Sequence, residues 1–156
     1  MKEKKAKPRV IGEDDWEWCG EDKIVPGCFY TNIISTKGVG SVGLYFMPPG
    51  VKTDVFSMDD TDDGTADEYF GPCHEVYYIL VGEFTMYWGE DTSKVRAGTA
   101  AKLILKAGDL GFWAKGWKYS VENTGKVPGT FFWGLSSAPK GIKIRDYTRA
   151  GYNFVS

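Results

Sequence analysis

Histidine is all but missing from this sequence: among 156 residues the only imidazole is His74. A metal centre held by three imidazoles is therefore excluded by composition. Cysteine is scarce as well. Cys19, Cys28 and Cys73 are odd in number, far apart and without a CxxC pair, which argues against a disulfide framework or a structural zinc site and leaves them as buried thiols. Basic charge is not in excess, with 19 Lys and Arg against 21 Asp and Glu. Only the opening MKEKKAKPR is basic, so the field that would hold a phosphate backbone is lacking and nucleic acid is not an expected partner. No run of 18 successive apolar residues occurs, and no apolar stretch follows the basic opening. Neither a membrane span nor a secretory leader is expected, and the cytoplasm is the expected compartment.

Aromatic residues and glycine are abundant. Phe, Trp and Tyr make up 15% of the chain and there are 20 Gly, a mixture that favours strands and tight turns over helices. A single domain of this length buries roughly 68–70% of the surface its unfolded chain would expose, so a full core forms without staples. From Cys28 onward, CFYTNIIST, VGSVGLYFM, VKTDVF, EVYYILV, EFTMYWG, KLILKAG, DLGFWA, KYSVEN and GTFFWGLS are β-branched or aromatic runs closed by Gly, Pro, Asn or Asp. Short strands at this spacing predict an all-β sandwich or barrel, and no segment shows a helical face. The expected organisation is an N-terminal arm over 1–27, partly mobile, with Trp16 and Trp18 docking on apolar surface. A barrel over 28–138 follows, and then a C-terminal extension over 139–156 packed against it.

One segment breaks the rhythm. Residues 57 to 72, SMDDTDDGTADEYFGP, are acidic and unpatterned, and long connections in compact domains are often functional. Asp59, Thr61, Asp63 and Gly64 fall at the spacing of a calcium loop, but Phe70 stands where such a loop needs a bidentate Glu.

Glu75 lies seven residues before Gly82 in EVYYILVG, and Gly108, Gly116 and Asn123 keep set distances in GDLGFWAKGWKYSVEN. Together these segments resemble the two motifs of the cupin superfamily, small β-barrels with a metal-centred interior. The resemblance spans about residues 28 to 138 and implies an antiparallel, jelly-roll barrel of two facing sheets. It places the motif glutamate at Glu75. The paired histidines of the first motif would fall at Glu68 and Phe70, or at Tyr69 and Gly71. The histidine of the second motif falls at Tyr119, and its proline at Ala114. Oxygen thus replaces imidazole, with Glu68, Glu75 and Tyr119 at mapped positions, His74 at the edge, and Asp62, Asp63 and Asp67 in the adjacent loop. The resemblance implies Glu68, His74, Glu75 and Tyr119 as the shell for one divalent ion, with manganese, iron or zinc best suited. Strand neighbours face opposite ways, so with Glu75 inward His74 points outward unless it belongs to the preceding loop.

A metal-free alternative stands beside this one. Desolvated among Tyr77, Phe112, Trp113, Trp117 and Phe132, Glu75 would have its pKa raised and serve as general acid or base with Tyr119 opposite. Glu75 and Tyr119 are then the catalytic candidates, and Tyr77, Phe112 and Trp117 the substrate contacts. The matching activities are those of an isomerase, epimerase or lyase on a small carbonyl or carbohydrate compound. The competing class is a non-catalytic barrel that binds a small ligand or serves as an interaction protein. Either way, the outward stripe of Val76, Tyr78 and Leu80 predicts a homodimer.

Overall fold

The computed structural model describes residues 12, 14, 16–22, 25–36, 40–57, 74–114 and 116–136. The acidic segment, with Glu68, and the extension expected at 139–156 lie outside the described residues. Among the described residues no helix is long and apolar enough to cross a membrane.

Among the described residues, ten strands and one short helix follow one another in the order β1 (Glu17–Glu21), β2 (Phe29–Thr36), β3 (Gly40–Met47), β4 (Phe56–Ser57), β5 (Glu75–Val81), β6 (Glu83–Gly89), α1 (Thr92–Ala97), β7 (Ala101–Lys106), β8 (Leu110–Trp113), β9 (Lys118–Asn123) and β10 (Gly129–Ser136). They form a six-stranded sheet, β1-β2-β3-β10-β5-β8, and a four-stranded sheet, β4-β9-β6-β7. Every strand pair within them is antiparallel. The two sheets face each other without closing into a full barrel. Strands β5 and β6, β7 and β8, and β9 and β10 are consecutive in the chain yet lie in different sheets. Each of these turns is a corner rather than an in-sheet hairpin.

Glycine allows the β5–β6 corner. Gly82 has φ 95°, and a Cβ there would stand 3.0 Å from the Cα of Gly129, so both the backbone angle and the packing exclude a side chain. Asn123, the last residue of the second motif, closes the same end of the sandwich. Its amide nitrogen donates to the Met47 carbonyl at 2.8 Å and the Val127 carbonyl at 3.0 Å, while its oxygen accepts from Gly125 N–H at 3.0 Å. A fully buried amide that satisfies three backbone groups is a structural clasp.

Period-two alternation decides what fills the interior. Along β5, Glu75, Tyr77 and Ile79 are buried while Tyr78 and Leu80 are exposed, as the outward stripe predicted. The inward residues join Tyr45, Met47, Phe84, Met86, Tyr119, Val121, Phe131 and Trp133 in one core. Trp133 has room because Gly43 lies opposite it. A Cβ at Gly43 would collide with the Thr31 carbonyl and stand 2.6 Å from the indole.

The elements differ from expectation in three places. The segment VKTDVF reaches strand geometry only at its end, in β4, apart from an isolated bridge between Lys52 and Glu122. Part of the stretch read as an arm is a genuine edge strand, β1, whose Trp18 stacks on Phe46 at 5.8 Å. The helix α1 was not anticipated. Asp91 accepts from Lys94 N–H to start it, Gly98 ends it at φ 72°, and the Lys52 ammonium donates to the Val95 and Arg96 carbonyls at its C-terminus, where a cation is favoured.

Candidate functional site: a buried acid between two phenols

Glu75 and Tyr77 share the inward face of β5, and Tyr119 faces them from β9 in the opposite sheet. The Tyr119 hydroxyl donates to the Glu75 carboxylate. The Tyr77 and Tyr119 hydroxyls are 3.2 Å apart. Glu75 is 4% exposed and Tyr119 1% exposed, so these contacts replace solvent altogether.

Aromatic rings wall the group. Trp113, cross-strand partner of Glu75, stacks on Tyr119 at 5.7 Å and 18°. It presents its edge relationship to Tyr77 at 6.0 Å. Phe131 packs on Tyr77 at 4.5 Å and Phe56 on Tyr119 at 5.6 Å.

Burial pushes the Glu75 carboxyl well above the usual carboxylate range, and hydrogen bonding from Tyr77 offsets part of that rise. The cause is the loss of hydration of the charged form in surroundings of phenols and aromatic rings. The carboxyl and the two phenols thus contact one another pairwise.

Not every expected residue joins this group. His74 is exposed and stacks on Phe112 at 5.5 Å, while its backbone N–H donates to Ser136 Oγ at 2.9 Å. It stands just before β5, outside the strand, with its side chain exposed. Phe112, expected as a substrate contact, is 58% exposed because β8 pairs it with outward Val76. It is a surface residue. Trp117 is also exposed and meets Trp88 edge-on at 5.0 Å. Phe132, expected in the aromatic wall, sits opposite outward Tyr78. Trp113 stands in the wall beside Tyr119, and Phe131, which the sequence reading did not name, packs on Tyr77.

Among the described residues no group of three His, Cys, Asp or Glu side chains stands together to hold a metal ion. The donor chemistry agrees with that placement. One carboxyl that favours its neutral form, bonded to two phenols and enclosed by apolar rings, is a poor set for a divalent cation. The expected metal shell is therefore not assembled by His74, Glu75 and Tyr119, and Glu68 lies outside the described residues.

Comparison with solved structures places the fold. The chain is similar to a predicted oxalate decarboxylase from Thermotoga maritima, with 19% identity, TM-score 0.59, and coverage of 83% of this chain and 100% of that one. It is similar to the CENP-C cupin domain of Drosophila melanogaster, with 15% identity, TM-score 0.56, and coverage of 81% and 77%. The Cnp3 cupin domain of Schizosaccharomyces pombe is matched at 14% identity and TM-score 0.54, over 73% of this chain and 63% of that one. The fold is that of the cupins. It is shared by an enzyme-like protein and by domains of another kind, one of them solved bound to CAL1, so the architecture leaves the activity open. No protein-family model and no curated protein matches the sequence.

Proposed function

We propose that this chain binds a small molecule inside its cupin sandwich, using the Glu75–Tyr77–Tyr119 group as a neutral, proton-bearing site. The observation that carries the reading is the Tyr119-to-Glu75 hydrogen bond in an enclosure walled by Trp113 and Phe131. A buried polar ring costs stability relative to apolar packing unless every member is satisfied. Its presence among aromatic rings supports a role beyond filling the core. A carboxylic acid whose burial holds its proton above the usual carboxylate range can donate to a ligand oxygen, and two phenols can relay the replacement proton. That chemistry suits isomerisation or epimerisation beside a carbonyl, the Glu75 proton passing through Tyr119 to the substrate oxygen and the carboxylate so formed taking the proton from the adjacent carbon. Manganese, iron or zinc has no part in this reading.

Titration with cyclohex-2-enone, followed by methyl NMR of Ile79 and Met47, tests it. Saturable shifts that vanish in Glu75→Gln and weaken in Tyr119→Phe are expected. Equal shifts in all three proteins would overturn the site.

A second reading concerns the outer face and is independent of the first. Tyr78, Leu80, Leu110 and Phe112 are all exposed on β5 and the edge strand β8, with Tyr78 paired to Leu110. Contiguous apolar surface at a sheet edge supports association of two copies, a homodimer.

A further inference from the structure

Glu75, Tyr77 and Tyr119 bond to one another, but a neighbouring donor is left over. Trp113 is 4% exposed, and its indole N–H has no hydrogen-bond partner among the described residues. A buried donor without an acceptor forfeits about 1–3 kcal/mol, so native interiors rarely retain one without use. Trp16 and Trp88 also have unpartnered buried indole nitrogens, yet both are only partly buried. Trp113 is the one stacked on Tyr119 and strand-paired with Glu75.

Charge narrows what would satisfy it. Among the described charged side chains only Glu75 and Lys118 are buried. Lys118 alternates with Tyr119 on β9, and its ammonium donates to Thr92 Oγ1 at 3.0 Å, on the side of α1. Among the described residues no buried cation therefore faces the ring to neutralise an anionic guest. An ammonium guest would need Glu75 ionised, against the direction in which burial shifts it.

We infer that the Trp113 indole N–H is a ligand-anchoring donor and that the guest offers it an uncharged oxygen acceptor, a ketone or enone carbonyl. The inference rests on the interior-binding reading above. A carbonyl completes the indole without bringing a hydrogen that itself needs an acceptor. Its hydrocarbon part meets the rings of Tyr119, Tyr77 and Phe131, where apolar contact and stacking supply affinity.

The six tryptophan indoles give separate N–H signals in a nitrogen-15-labelled sample of the full chain, which makes the test direct. Three probes of similar size would be titrated: cyclohex-2-enone, cyclohexylammonium and cyclohexanecarboxylate. The enone is expected to move the Trp113 signal saturably, leaving Trp16 and Trp88 in place, and the two ions are expected to move none of them. Trp113→Phe keeps a ring on Tyr119 and removes the donor, so enone affinity should fall about 3–10-fold. Assignment of the wild-type spectrum keeps the test valid if that variant folds poorly. If the enone shifts the Ile79 and Met47 methyls while the Trp113 indole stays still, interior binding stands and this inference falls, a resident water then holding the indole. Equal binding of either ion would also overturn it. If no probe shifts any interior signal, the interior-binding reading fails and takes the inference with it.

Discussion

Tyr119 and Glu75 lie 44 residues apart in sequence and in different sheets, yet the phenol donates directly to the carboxylate. Their hydrogen bond links the two sheets through the interior, beside the Tyr77–Tyr119 contact. Removing the donor alone is therefore costly. Tyr119→Phe leaves the ring in place but strips Glu75 of a partner, and a loss of about 1–3 kcal/mol is expected in urea denaturation. The double variant Tyr119→Phe with Glu75→Leu should recover part of this, because it removes the orphaned acid as well. An additive double variant would show that the two groups are not coupled.

The pH dependence follows from the direction of the Glu75 shift. Unfolded Glu75 titrates at about 4.3, whereas the folded carboxyl keeps its proton to higher pH. Between these limits the folded state binds the extra proton, so this group's stabilising effect is full below the unfolded pKa and is lost as pH rises through the folded one. Wild type should lose stability relative to Glu75→Gln as pH climbs from about 4 toward neutrality and beyond. Parallel pH profiles for the two proteins would contradict the assignment.

Asn123 should matter to stability and not to ligand binding. Asn123→Ala leaves the Met47 and Val127 carbonyls and the Gly125 N–H unmet, and a loss of about 1–3 kcal/mol or more is expected. Enone affinity, measured where the variant remains folded, should stay at the wild-type value.

Phe112 tests the outer face. It is exposed beside His74, whose ring stacks on it, and it contributes nothing to the acid–phenol group. Phe112→Ser should weaken self-association by about 10-fold or more in sedimentation equilibrium, with interior binding intact. A wild-type protein that is monomeric at micromolar concentration would remove the homodimer reading.

What sequence by itself determined was whatever depends on local periodicity. Alternation in EVYYILV placed Glu75, Tyr77 and Ile79 inward and Tyr78 and Leu80 outward, because neighbouring residues of any strand face opposite ways. The resemblance put Tyr119 opposite the acid, which the contact between them matches. Tertiary structure decided the rest. In DLGFWA, Phe112 and Trp113 alternate too, but which of them faces inward depends on the pairing of Glu75 with Trp113 and Val76 with Phe112. That register is a relationship between strands, absent from either strand alone. Helix α1 spans six residues, too few to show an amphipathic period, and forms because Asp91, Gly98 and Lys52 satisfy its ends. The charge state of Glu75 lies beyond sequence for the same reason: it is set by rings from β4, β8, β9 and β10 that meet only once the two sheets close over it.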